Sequence, residues 1–439
     1  MKISLKLITF LLLAVGLSLG SCTRDEDEDD VVIPGENITV KGTITSNTTW
    51  DAKNKYLIEG FVYVESGTTL TIEPGTIIKG DKATKASLIV KPGARIIAEG
   101  TNQKPIIFTS NQPKGSRNYG DWGGIILLGK AKVNKSPATI EGENISTFGG
   151  SDDNDNSGIL KYVRIEFAGV AFETDKEING LTLGGVGKGT TIDYVQISYS
   201  GDDGFEWFGG NVNAKHLISY KNLDDDFDTD WGYSGLVQYG YIYRDPLVAD
   251  QCTCSDSNGF ESDNDAAGSE ATPQTNCKFA NVSIFMAEGT PDAKFRSAFR
   301  LRRNSALSIF NSVAVGAFPK GGLELGDAST QANFISDKSD FRGLVLAGMS
   351  KPLVLGDEGK LTVTSRKNKF GIDLSALGLP ANYNKSNGKP GLLPLSGSVL
   401  LNSGIDLPSG FEPNTNIGAF STNDWTEGWA NWDPQNTDY

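Results

Sequence analysis

Carboxylates recur beside phenylalanine in three short phrases of this chain: Asp202-Asp203-Gly204-Phe205-Glu206, Asp225-Asp226-Phe227-Asp228 and Asn258-Gly259-Phe260-Glu261. In a strand, neighbouring side chains point to opposite sides, so a Phe packed inward leaves the next acid facing outward. Carboxylates on neighbouring strands, about 4.8 Å apart, repel one another unless a cation, a proton or an arginine intervenes. Three chemistries follow. Oxygen donors in such number suit a hard cation such as Ca2+, and the candidate ligands are Asp202, Asp203, Asp226, Asp228, Asp230, Glu261 and Asp263. A carboxylate pair also suits glycan hydrolysis, which needs separations of roughly 5–9.5 Å. Lyase chemistry would add a base for proton abstraction, and Arg300, Arg302, Arg303 and Lys294 are at hand. The candidate catalytic groups are therefore Asp203, Glu206, Asp228, Glu261 and Arg300. Trp207, Trp231 and Tyr233, with Arg300 and Arg302, are candidates for holding a sugar by ring stacking and charge.

The spacing of the phrases specifies what must position them. Phe205 to Phe227 is one step of 22 residues, and Phe227 to Phe260 is 33, with a Cys-bearing insertion between. Short strands repeating every 20–25 residues or so are the signature of a stacked β-solenoid. Leu70-Thr71-Ile72-Glu73-Pro74-Gly75 and Leu88-Ile89-Val90-Lys91-Pro92-Gly93 repeat the grammar of strand followed by turn. Phe299-Arg300 and Leu323-Glu324 occupy comparable places, so the outward column reads Glu206, Asp228, Glu261, Arg300, Glu324. Helical periodicity is scarce, and the predicted class is all-β in a single domain.

The N-terminus carries a leader. Lys2 and Lys6 precede an apolar run from Leu7 to Leu19, and Leu19-Gly20-Ser21-Cys22 resembles a bacterial lipobox, which predicts lipidation at Cys22. The run Asp25-Glu26-Asp27-Glu28-Asp29-Asp30 self-repels and reads as an extended tether. Loss of the two leader lysines moves the formal charge from −14 to −16. Residues 200–265 hold 14 acids against 3 bases, so the folded part concentrates its charge at one place. Nucleic acid is excluded as a partner, because phosphate binding needs clustered Lys and Arg. Zinc is a poor fit with a single histidine, His216, and no paired CxxC. Export permits a disulfide from Cys252 or Cys254 to Cys277, with Cys254 and Cys277 the candidate pair. The divisions are a signal peptide over 1–21, tether over 22–36, solenoid over 37–340, and C-terminal coils over 341–439. In that last part Trp425, Trp429 and Trp432 are expected to cap the open end.

Asp121-Trp122-Gly123-Gly124, Asn179-Gly180-Leu181-Thr182-Leu183-Gly184-Gly185-Val186-Gly187, Asp424-Trp425-Thr426-Glu427-Gly428-Trp429 and the three Phe-acid phrases together resemble a family of exported Bacteroidota surface lipoproteins. The resemblance covers nearly all of the mature chain. It implies a right-handed parallel β-helix, loosely similar to pectin lyases, with no settled activity; the label "multidrug transporter" carried by some members has no support in the hydropathy pattern. The expectation is a lipid-anchored outer-membrane protein facing the cell exterior, binding a glycan or other extended polymer along an acidic, aromatic face with Ca2+. The alternatives are a Ca2+-dependent polysaccharide lyase or glycoside hydrolase, and a scaffold subunit among surface-complex proteins.

Overall fold

The computed structural model describes residues 35–439, apart from 141, 143–145, 174–175, 252–255 and 355–356. Among the described residues, 26 strands join one set in which every pairing is parallel, each strand hydrogen-bonding to its counterpart one coil further on. Each coil contributes strands to three faces. Alternation sorts the side chains: Ile72, Ala98, Leu160 and Ile192 stack inward on the first face, Phe108, Ile165 and Ile197 on the second. The third face stacks Leu88, Ile125, Leu181, Phe205, Phe227, Phe260, Phe299 and Leu323. All of these side chains are buried, and their apolar area is the main source of stability. The phenylalanines meet edge to face, with ring centroids 5.4 Å apart for Phe205 and Phe227 and 5.1 Å for Phe227 and Phe260. Among the described residues, no helix is long and apolar enough to cross a membrane.

The corner between the first and second faces takes a left-handed backbone turn in every central coil. Tyr162, Tyr194, His216, Tyr239, Asn281 and Asn311 occupy it, with φ between 43° and 63°. Such a conformation is costly for an aromatic residue, so something must hold it there. Stacking does so: Tyr162 on Tyr194 at 4.4 Å, Tyr194 on His216 at 4.2 Å, and His216 on Tyr239 at 4.9 Å. His216 is thus a packed member of a ring column, with Nδ1 2.8 Å from Asp193.

Coils continue to the strand Lys369–Ile372, which pairs with Val345–Ala347. Residues 374–439 then run back along the second face as an irregular strap. Leu377, Leu392, Leu400, Ile417, Phe420 and Trp429 bury against Ile218, Tyr220, Tyr241, Tyr243, Phe285 and Val313. Side-chain amides of the coils pair with the strap's backbone as a neighbouring strand would. Gln196 donates to Asn431 O at 2.7 Å and accepts from Asn431 N at 2.8 Å. Gln238 does the same with Glu412, at 3.0 and 2.9 Å, and Asn311 with Ile405, at 2.8 and 2.9 Å. The three C-terminal tryptophans belong to this flank. Trp425 and Trp429 meet the ring column edge-on and Trp432 meets Tyr220, so they cover the side of the solenoid where a cap over its end was expected. The outward residues of the second face are apolar enough to need that cover, which is why the tryptophans lie there.

Candidate functional site

On the third face, one outward column runs Tyr63, Ile89, Ile126, Thr182, Glu206, Asp228, Glu261, Arg300, Glu324 in direct register. The last five are those read from the sequence. The 33-residue step does not disturb the ladder, because its extra residues loop out before Phe260 pairs with Phe227. The apolar start of the column, Ile89 and Ile126, is covered by Ile140, Phe148 and Ile178. Past Thr182 the cover parts and leaves a cavity of about 300 Å3. Asp202, Asp203, Glu206, Asp228, Asp230, Glu261 and Asp263 line it, opposite Lys135, Arg302 and Arg303. Its walls are the segment holding Lys135 and Ile140 and the loop holding Ala266, tied together by Asn134 Nδ2 donating to Asn264 O at 2.8 Å.

Two triads of carboxylate oxygens converge here, each within 4.8 Å: Asp202, Asp203 and Asp224, and Asp203, Glu206 and Asp228. Asp203 is held by the Asp225 N–H at 2.9 Å. Asn179 Nδ2 donates to Glu206. Burial, reinforced by the neighbouring carboxylates, pushes Asp203 and Asp228 well above the usual carboxylate range. The same causes bring Asp230 up to about 8. Two oxygens in this wall accept no hydrogen bond from the protein: Asp228 Oδ1 and Asn179 Oδ1, the latter on a residue only 3 % exposed.

The other end of the column is neutralised. Glu261 faces Arg300 at 3.0 Å and also Arg302; Asp263 faces Arg302 at 2.9 Å and Arg303 at 2.7 Å. Burial still carries Glu261 up to about 7 against the pull of those arginines. Burial alone would weaken the charge on Arg302, but Glu261 and Asp263 outweigh it and raise its pKa above the ordinary Arg value.

Several sequence expectations need correction. Trp207 lies two residues from Phe205 and so shares its inward side; it is fully buried, stacked on Tyr233 at 5.4 Å, and offers no face to a sugar. Tyr233 is equally buried and donates its hydroxyl to Val212 O at 2.7 Å. Asp226 turns away from the groove to a buried ion pair with Arg244, at 3.1 Å, and accepts from Ser219 at 2.5 Å. Burial nevertheless lifts it to about 6. Trp231 does reach the groove, but its ring is already covered by Lys135 Nζ, 3.8 Å from the centroid. Arg300 stands in the column as expected, with its guanidinium engaged by Glu261. Cys277 is buried in the core; Cys254, its expected partner, and Cys22 lie outside the described residues. Lys135 and Asn179 were not singled out, although Asn179 sits in the Asn-Gly-Leu-Thr-Leu-Gly-Gly motif.

A similar solved structure is described as the crystal structure of pectate lyase Pel9A; it is 14 % identical, with 90 % of this chain and 98 % of that chain covered and a TM-score of 0.44. No curated protein matches the chain. Residues 42–374 match the pectate-lyase-like β-helix domain, and the chain belongs to that family.

Proposed function

We propose that the protein binds an extended polysaccharide along the third face, through a divalent cation held by Asp203, Glu206 and Asp228. The observation that carries this is the convergence within 4.8 Å of two successive rungs of one ladder, Glu206 and Asp228, with Asp203 from the turn that precedes Phe205, in a groove rather than in the core. The donors fit Ca2+: all are oxygens, and Asp228 Oδ1 and Asn179 Oδ1 have no competing hydrogen bond. Ca2+ takes about 6–8 oxygens, so three side chains would leave positions for sugar hydroxyls or a uronate. Bound there, the ion would neutralise the column and bridge protein to ligand. Chain length along the groove, rather than a deep pocket, would supply affinity. A lipid anchor at Cys22 and an outward-facing position on the outer membrane complete the proposal.

Binding is favoured over lyase chemistry because Arg300, Arg302 and Arg303 are all engaged by carboxylates, whereas a base must give up and regain a proton. Hydrolysis is the second reading, on one observation: Asp203 and Asp228 hold protons more strongly than an ordinary carboxylate, as a general acid must. Calorimetry with Ca2+ and retention on a panel of acidic and neutral polysaccharides, with and without chelator, test the binding proposal. Cation-dependent retention without new reducing ends or unsaturated uronates supports it. New reducing ends favour hydrolysis, and absence of both Ca2+ uptake and retention removes the proposal.

A further inference from the structure

We propose that Arg300, Arg302 and Arg303 set where the acidic column takes its cation, by occupying Glu261 and Asp263 and so leaving the ion to the carboxylates that converge around Asp203, among which Glu206 and Asp228 are the rungs of the column. The inference rests on the cation reading given above. Along the ladder, Glu261 is the rung next to Asp228 and is chemically as good a ligand. Repeat geometry alone would therefore give a row of equivalent sites. The difference lies in the counter-charges. Arg300 takes Oε2 of Glu261 and Arg302 takes Oε1, while Arg302 takes Oδ1 of Asp263 and Arg303 takes Oδ2, so each of the four oxygens faces a guanidinium. Three arginines against two carboxylates also leave a positive surplus, which repels a second ion. One rung away, Asp228 Oδ1 accepts no hydrogen bond. The Asn179 carbonyl oxygen, on a residue only 3 % exposed that lines the same groove, accepts none either. That unmatched acceptor is an indication, separate from the acids, that something electropositive belongs at that end. Arg302 is the central specificity residue, because its planar fork reaches both acids at once and a lysine ammonium could not.

Ca2+ calorimetry on the full chain, with stoichiometry as the readout, decides the matter. The wild type should take about one ion, and Glu261→Gln should keep that ion with affinity changed less than about fivefold, since Glu261 is not a ligand. Arg302→Gln combined with Arg303→Gln should free both oxygens of Asp263 and Oε1 of Glu261, with Arg300 still on Oε2, and raise the uptake to about two ions. Loss of the ion in Glu261→Gln, or an unchanged stoichiometry in the double variant of a wild type that binds one, overturns the inference and leaves the cation reading intact. Uptake by the double variant alone removes that reading but upholds the role of the arginines. No uptake by either protein removes both. Should the double variant fail to fold, Glu261→Gln decides alone.

Discussion

Two ladders run through the middle coils of this solenoid, and only one is covered. At the corner of the first two faces, Tyr162, Tyr194, His216 and Tyr239 stack ring on ring, and Trp425 and Trp429 close over them. On the third face Glu206, Asp228 and Glu261 stack in the same register but line an open groove. Coil geometry is common to both, so side-chain chemistry alone makes the difference. Stacked rings attract and gain by being buried, whereas stacked carboxylates repel and become costlier as water is removed. A repeat that aligns like charges must import a counter-ion or neutralise some rungs, and this column has its own arginines at one end.

The comparison is most exposed to a variant that damages the covered ladder. Trp429→Ala, which empties a fully buried site, should cost about 3–5 kcal/mol in chemical denaturation and leave Ca2+ affinity unchanged. A matching loss of Ca2+ binding would mean that the two flanks are not independent. Asp228→Asn should do the reverse: Ca2+ affinity falls by at least about tenfold, while the ion-free protein gains of order 1 kcal/mol at pH 8, because one repelled charge is gone.

A smaller effect appears on titration. In the ion-free fold, burial raises Asp226 to about 6, Glu261 to about 7 and Asp230 to about 8. From about pH 4 to pH 8 the folded chain therefore holds more protons than the unfolded one, and stability falls as pH rises through that window. Melting in chelator should drop across it, and saturating Ca2+ should flatten the slope; a melting temperature that climbs from pH 5 to 8 in chelator would contradict the assigned repulsion. The mildest test is Gln238→Ala, which removes both hydrogen bonds to Glu412 and should cost about 1–3 kcal/mol without loosening Ca2+.

The third face was the most legible part of the chain, since Phe205, Phe227 and Phe260 repeat with their acids and the strand period is two. The same period, applied to Trp207, would have turned it inward with Phe205; reading it as a ligand contact ignored the alternation. Tyr233 and Asp226 lie at turns, where alternation gives no direction and the nearest partner decides. Lys135 comes from a segment without counterpart in other coils, so no repeat could flag it. The strap was illegible for a related reason. Its apolar residues, from Leu377 to Trp429, are scattered without a period, because they follow the surface they cover rather than an axis of their own.

That strap alters how the molecule should come apart. A stack in which each coil touches only its neighbours can lose coils one at a time from either end, and its stability is a local sum. Here residues from Ile405 to Asn431 grip Asn311, Gln238 and Gln196 in turn, and Arg117 Nη1 donates to Pro434 O at 2.6 Å. Peeling one coil therefore disturbs contacts made by coils far from it. The array is expected to behave as a single cooperative unit, with one unfolding transition where a bare solenoid of this length would fray.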